Sequence, residues 1–125
     1  MNRALWAGQV LLAVAFLAAG GLKLATPAAD LDASMPEFPA GFGRLIGTLE
    51  VAGAIGVVAP AATGILPVLT PAAAGGLAVI MVGAAFTHLF RAEYLPTLTP
   101  LVLLVVAVTV LYGRVKLHPV SPRAR

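Results

Sequence analysis

The sequence predicts an all-α integral membrane protein, a four-helix bundle that crosses the cytoplasmic membrane several times with both termini in the cytoplasm. The 125 residues are 60% hydrophobic and only 10% charged, whereas soluble domains carry about 25% charged residues. The chain divides into four apolar segments, each close to the roughly 20 residues that a membrane-spanning helix needs. Basic residues gather near the two termini, and positive charge stays on the cytoplasmic side of a membrane.

The four segments belong to one transmembrane domain that covers residues 1–125. The predicted helices are apolar runs bounded by proline, glycine or charged residues: about 4–24, 43–59, 71–90 and 97–112. We expect the second helix to stop at Pro60, and the third to start with Thr70 as its N-cap and Pro71 at its first helical position. Pro100 is expected in the first turn of the fourth helix, and residues 113–125 form a basic cytoplasmic tail.

The first segment could be mistaken for a signal peptide. Its apolar run, ALWAGQVLLAVAFLAAGGLKL, exceeds the 7–15 residues typical of a signal-peptide core, and Lys23 near its end is unusual there. We therefore expect a retained helix. The stretch that follows is rich in proline and acidic residues, which predicts a polar loop with room for a short turn on the membrane surface.

Composition excludes several functions. The chain has no cysteine, which removes disulfide, thiolate and cysteine-ligated metal chemistry. The net charge of +3 and the isoelectric point near 10 come from few bases, mostly terminal, so they indicate membrane orientation and no nucleic-acid partner. His88 and His118 are expected at opposite ends of the bundle, which excludes a haem held by both, and too few other ligands remain for a metal site.

We expect no enzyme activity from the chain alone, although it can be a membrane subunit of an oxidoreductase.

Ionisable residues are predicted to meet in the outer half of the bilayer. Lys23 closes the first helix, Arg44 and Glu50 lie early in the second, about 9 Å apart along its axis, and His88 closes the third. The inner half is expected to hold no ionisable group. These four residues form the candidate ligand-binding site.

Small residues share the helix faces of these polar side chains. Glu50 has Gly43, Gly47, Gly53 and Ala54 as helical neighbours, and such residues mark close helix contacts in membranes. Because an ionisable group at mid-membrane costs about 2.5–3.5 kcal/mol, Glu50 is expected to pair with Lys23 or Arg44. Intramembrane ionisable residues are functional by default, but such a pair can also merely fix the helix register.

Three stretches together resemble the DoxX-like family of small four-helix membrane proteins: FLAAGGLKL, GRLIGTLEVAGAIGVVAP and GAAFTHLFRAE. The family's Gly-x-x-Lys, helix-two glutamate and helix-three histidine correspond here to Gly20–Lys23, Glu50 and His88. The founding member is similar to a subunit of a membrane thiosulfate:quinone oxidoreductase, and other relatives are linked to redox-stress complexes. The resemblance therefore implies a quinone- or lipid-facing role, in which sulfur chemistry would need a partner subunit.

Three functions are compatible with these observations. The first is an accessory subunit whose outer-leaflet pocket binds a quinone or another polar-headed lipid, with histidine and carboxylate passing protons. The second is a non-catalytic assembly or scaffold subunit that binds another membrane or redox protein, or further copies of itself, with a purely structural charge cluster. A proton-coupled transporter is disfavoured, because no ionisable groups continue a path through the inner half.

Overall fold

The computed structural model describes residues 1–124 and forms helices joined by short connections. The five α-helices, in chain order, are α1 (Asn2–Ala25), α2 (Ala28–Ser34), α3 (Phe42–Thr63), α4 (Leu69–Phe90) and α5 (Tyr94–Tyr112). A π-helical turn, Gly113–Leu117, continues α5. Four helices, namely α1, α3, α4 and α5 with this turn, are long and apolar enough to cross a membrane. The predicted all-α membrane fold is confirmed, and α2 is the short element within the predicted polar loop.

The four long helices close into a bundle. Each packs against the next along the chain, and α5 returns to pack against α1. All four contribute side chains to one apolar core: Leu12, Phe16, Ala54, Val57, Ala74, Leu77, Ala78, Met81, Ala107 and Val110. Large apolar side chains such as Val79 and Val105 point outward and are exposed, as expected for a surface that faces lipid.

Glycines lie where the helices approach most closely. A Cβ atom on Gly20 would come within 2.7 Å of the Gly47 carbonyl oxygen, and one on Gly47 within 2.8 Å of the Lys23 Cβ. A Cβ atom on Gly53 would come within 2.6 Å of Leu77 on α4. The small-residue stripe of α3 therefore sets its distance to α1 and to α4, since close packing of membrane helices depends on such residues.

Three predicted helix boundaries are wrong. The helix α3 runs through Pro60 to Thr63, because a proline removes only one backbone donor and membrane helices tolerate that loss. Thr70 lies inside α4 and is buried, and its hydroxyl has no hydrogen-bond partner within residues 1–124, so it does not cap the helix.

The third wrong boundary is the start of the last helix: α5 starts at Tyr94, which places Pro100 in its second turn. The earlier start is anchored by Thr97, whose backbone N–H donates to the Glu93 carbonyl at 3.2 Å and whose hydroxyl donates to the same oxygen at 2.7 Å.

The two ends of the bundle differ in charge. The acidic end is where α1 and α4 finish and α3 and α5 begin. It receives all five acidic side chains of the sequence: Asp30, Asp32, Glu37, Glu50 and Glu93. The terminal end holds the N-terminus, the α3–α4 connection and residues 113–124, and the sequence places no Asp or Glu there. Arg125, the last residue of the predicted basic tail, lies outside the described residues.

Candidate functional site

Lys23 and Glu50 form an ion pair between α1 and α3 at the acidic end. The lysine Nζ lies 3.1 Å from one carboxylate oxygen and 3.3 Å from the other. Only 3% of the Glu50 side chain is exposed, against 27% of the Lys23 side chain. The carboxylate therefore lies inside the bundle, and the ammonium lies at its edge.

The close contact between Gly20 and Gly47 brings this pair together. Both glycines lie one turn from a charged partner, on the faces where α1 and α3 touch. A larger side chain on either would push the helices apart and stretch the ion pair. Since removing one partner of a buried pair leaves an uncompensated charge, the geometry of this crossing and the stability of the pair depend on each other.

Arg44 makes a different set of contacts from the one expected. Its guanidinium donates to the carbonyl oxygens of Leu24 and of Thr26, the latter at 2.8 Å. These carbonyls belong to the end of α1, where cations satisfy the last acceptors and complement the helix dipole. Within residues 1–124 no hydrogen bond or ion pair joins Arg44 to Glu50, so the expected alternative pairing is wrong.

His88 pairs with Glu93. The histidine Nδ1 lies 2.6 Å from a Glu93 carboxylate oxygen, and both side chains are partly exposed. On a continuous helix, residues five apart do not lie on the same face, so this contact depends on the end of the helix. The chain leaves α4 after Phe90 and reverses through Ala92, whose φ of 56° is left-handed, so Glu93 folds back onto the histidine.

Arg91 ties the α4–α5 turn to the loop before α3. Its Nε and Nη2 donate to the two carboxylate oxygens of Glu37 at 2.7 Å and 2.8 Å, and Nη2 also donates to the Ser34 carbonyl at 3.0 Å. These hydrogen bonds lower the pKa of the Glu37 carboxyl below its ordinary value. The fork geometry fixes both partners, as is typical of bidentate arginine–carboxylate pairs.

The four predicted site residues all lie at the acidic end, in three separate groups. Lys23 is with Glu50, Arg44 is with the end of α1, and His88 is with Glu93. The Lys23 ammonium, at the edge of the bundle, can donate a hydrogen bond to an oxygen of a bound molecule. The pair of His88 and Glu93 can exchange a proton. Within residues 1–124 no three His, Asp or Glu side chains converge as metal ligands would.

The terminal end contains a buried arginine that sequence reasoning placed in a solvated tail. Arg114 is only 4% exposed, and its Nε donates to the Gln9 side-chain oxygen at 2.7 Å. One Nη donates to the Asn2 side-chain oxygen at 2.7 Å and to the His118 carbonyl at 3.1 Å. Arg114 lies within a helix able to span the membrane, so the expectation that the half of the bundle opposite Lys23 and Glu50 lacks ionisable groups is wrong. The lone glutamine in the apolar α1 was the available signal, since a buried amide needs polar partners.

Comparison with known proteins places the bundle in a family. The model of the DoxX-like family matches residues 7–110, which covers the bundle from α1 to near the end of α5. No curated protein and no solved structure gives a significant match. Lys23, Arg44, Glu50 and His88 lie within the matched range, and Arg114 lies beyond it.

Proposed function

The chain belongs to the DoxX-like family, and from that premise we propose that it is an accessory subunit holding a quinone or another polar-headed lipid at Lys23 and Glu50. It is a small multi-pass membrane protein with four helices able to span the bilayer. The proposed link to membrane redox processes rests on the family resemblance. Catalysis is assigned to a partner oxidoreductase subunit.

A partly exposed lysine side chain beside a buried carboxylate is the observation that carries this proposal. Lysine has three N–H donors, and Glu50 accepts from it on the inner side at 3.1 and 3.3 Å. The Lys23 side chain is 27% exposed at the bundle edge, where we propose that a quinone carbonyl, an ester or a phosphate oxygen accepts a hydrogen bond from the ammonium. An ion pair that only fixed the register of α1 against α3 would not need a partly exposed lysine.

The pair of His88 and Glu93 supplies the proton chemistry in this proposal. Its contact of 2.6 Å joins two groups that are partly exposed at the same end of the bundle as Lys23. Because an imidazole and a carboxylate in contact can pass a proton between them, the pair can take up or release a proton when a quinone nearby is reduced or oxidised.

The proposed orientation places the acidic end outside and the terminal end in the cytoplasm. The terminal end carries Arg3, Arg114, Lys116 and Arg123, and cytoplasmic segments are enriched in Lys and Arg. In this proposal the protein lies in the cytoplasmic membrane, with the lipid site in its outer leaflet.

Mass spectrometry of lipids that co-purify with the protein tests the proposal. We expect a quinone or one lipid class to be enriched over the bulk membrane extract, and to be lost from Lys23→Met. Lys116→Gln, which removes an exposed lysine at the other end, is the matched control and should retain it. Identical lipid profiles for wild type and Lys23→Met would contradict the site.

A second candidate is an assembly or scaffold subunit, favoured by the internal pairing at the acidic end. Lys23, Arg91 and His88 each have a carboxylate partner within the chain, as a structural network would. A stable stoichiometric partner protein or a homo-oligomer, recovered without enriched lipid, would favour this function over the first.

A further inference from the structure

Arg114 is a buried cation that has no carboxylate partner within residues 1–124. Its hydrogen bonds go to Gln9, Asn2 and the His118 carbonyl, all neutral. One guanidinium nitrogen, Nη2, is buried without any partner within residues 1–124. The sequence has no Asp or Glu at the terminal end, so this chain cannot supply a side-chain counter-charge there.

An unpaired buried charge is costly, because the desolvated cation loses water without gaining an opposite charge. The cations Lys23 and Arg91 at the acidic end avoid that cost by pairing with Glu50 and Glu37. Of these three cations, Arg114 is the most deeply buried. Because no Asp or Glu side chain lies at this end, the missing partner is expected to come from outside residues 1–124.

A cavity of about 330 Å³ opens beside this arginine. Its wall is formed by seven residues from both chain ends and α3: Asn2, Trp6, Ala61, Arg114, His118, Pro119 and Val120. Small-molecule sites start at about this size. The cavity thus offers room for a polar group against the Arg114 side chain, which forms part of its wall.

Local structure holds Arg114 toward this cavity. A Cβ atom on Gly113 would overlap Leu5 of α1, so glycine lets the end of α5 approach α1. The π-helical turn that begins at Gly113 widens the backbone, and such turns often occur at functional sites. The Trp6 ring covers one face of the guanidinium, with its centroid 5.4 Å from Cζ.

We propose that Arg114 and this cavity bind a phosphate group at the terminal end of the bundle. The phosphate belongs to an anionic phospholipid headgroup or to a free phosphate ion. A guanidinium presents forked donors that match phosphate oxygens, and basic pockets at the cytoplasmic ends of membrane helices bind anionic headgroups. The site is independent of the proposed quinone or lipid site, which lies at the opposite end and uses different residues.

Trp6 makes the site directly measurable, because it is the single tryptophan of the chain and lines the cavity. The protein is reconstituted in phosphatidylcholine nanodiscs containing either brominated phosphatidylglycerol or brominated phosphatidylcholine, and bromine quenching of Trp6 fluorescence is titrated. We expect an apparent preference for phosphatidylglycerol of about tenfold, the factor given by one charge-assisted hydrogen bond. Equal quenching by the two lipids in the wild-type protein would overturn a site for an anionic phospholipid headgroup.

Two variants distinguish the effect of Arg114 on the lipid preference from the effect of positive charge on the surface in general. Arg114→Gln should abolish the preference, whereas Lys116→Gln, which removes an exposed cation two residues away, should keep it. Loss of the preference in both variants, or in neither, would overturn the assignment to Arg114. The wild-type comparison remains decisive even where Arg114→Gln fails to fold.

A further titration identifies the source of the phosphate. Inorganic phosphate is added to wild-type protein in nanodiscs of phosphatidylcholine alone, against chloride at equal ionic strength, with Trp6 fluorescence recorded. A response to inorganic phosphate supports a soluble anion, and a response to phosphatidylglycerol alone supports a lipid headgroup. Silence in both experiments would overturn the proposal.

Discussion

The two ends of this bundle differ in how their cationic side chains are partnered. At the acidic end, Lys23 and Arg91 each meet a carboxylate from another part of the chain. At the terminal end, Arg114 is buried among neutral groups with one nitrogen unsatisfied. A charge paired within the chain stabilises the fold by itself, whereas an unpaired one gains stability from a ligand. The comparison therefore separates cations whose charge the chain itself neutralises from a cation whose charge a ligand neutralises.

The largest expected difference between the ends is their access from outside the cell. The chain has no native cysteine, so single cysteines can be labelled without background. Ser34→Cys and Ala92→Cys at the acidic end should react with an impermeant thiol reagent in intact cells, and Ser121→Cys at the terminal end should react only after permeabilisation. Labelling of Ser121→Cys in intact cells would reverse the proposed orientation.

The next largest effect is expected at the glycine contacts that bring the acidic end together. Gly47→Leu should separate α1 from α3, and Gly53→Leu should clash with Leu77, because their Cβ positions already lie 2.8 and 2.6 Å from neighbouring atoms. Overpacking typically costs about 1–3 kcal/mol and can cost more. Yield and thermal unfolding of the purified protein measure the loss. Val105→Leu, at an exposed position of α5, is the control and should be nearly neutral; equal tolerance at all three positions would mean that the stripe does not pack.

A smaller effect is expected from the ion pair of Arg91 and Glu37. Hydrogen bonding to Arg91 lowers the pKa of Glu37 below 4.5, so the pair adds stability above that pH and loses it as the pH falls through the lowered value. Both groups are largely solvated, which keeps the contribution small. The melting temperatures of wild type and Arg91→Gln should differ slightly near neutral pH and converge in acid. A difference that persists unchanged in strong acid would contradict the pair.

The sequence predicted the helices and the main ion pair because both follow from periodicity in a membrane. Lys23 and Glu50 could be matched since each lies on a small-residue face at the same predicted depth. The contact of His88 with Glu93 could not be found that way, because it depends on a chain reversal at Ala92 after the helix has ended. Arg114 was missed because its burial depends on a tertiary contact, that of Gly113 with Leu5.

A double-mutant cycle on Lys23 and Glu50, with thermal unfolding and retained lipid measured on each variant, tests the central claim most directly. Lys23→Met strands a carboxylate that is 3% exposed, and breaking a buried pair typically costs about 3–5 kcal/mol. Glu50→Gln should cost less, because the freed lysine can reach the lipid headgroups. The double variant should recover much of the stability without recovering the lipid. Additive losses of stability would contradict the pair, and recovery of both stability and lipid would contradict the binding site.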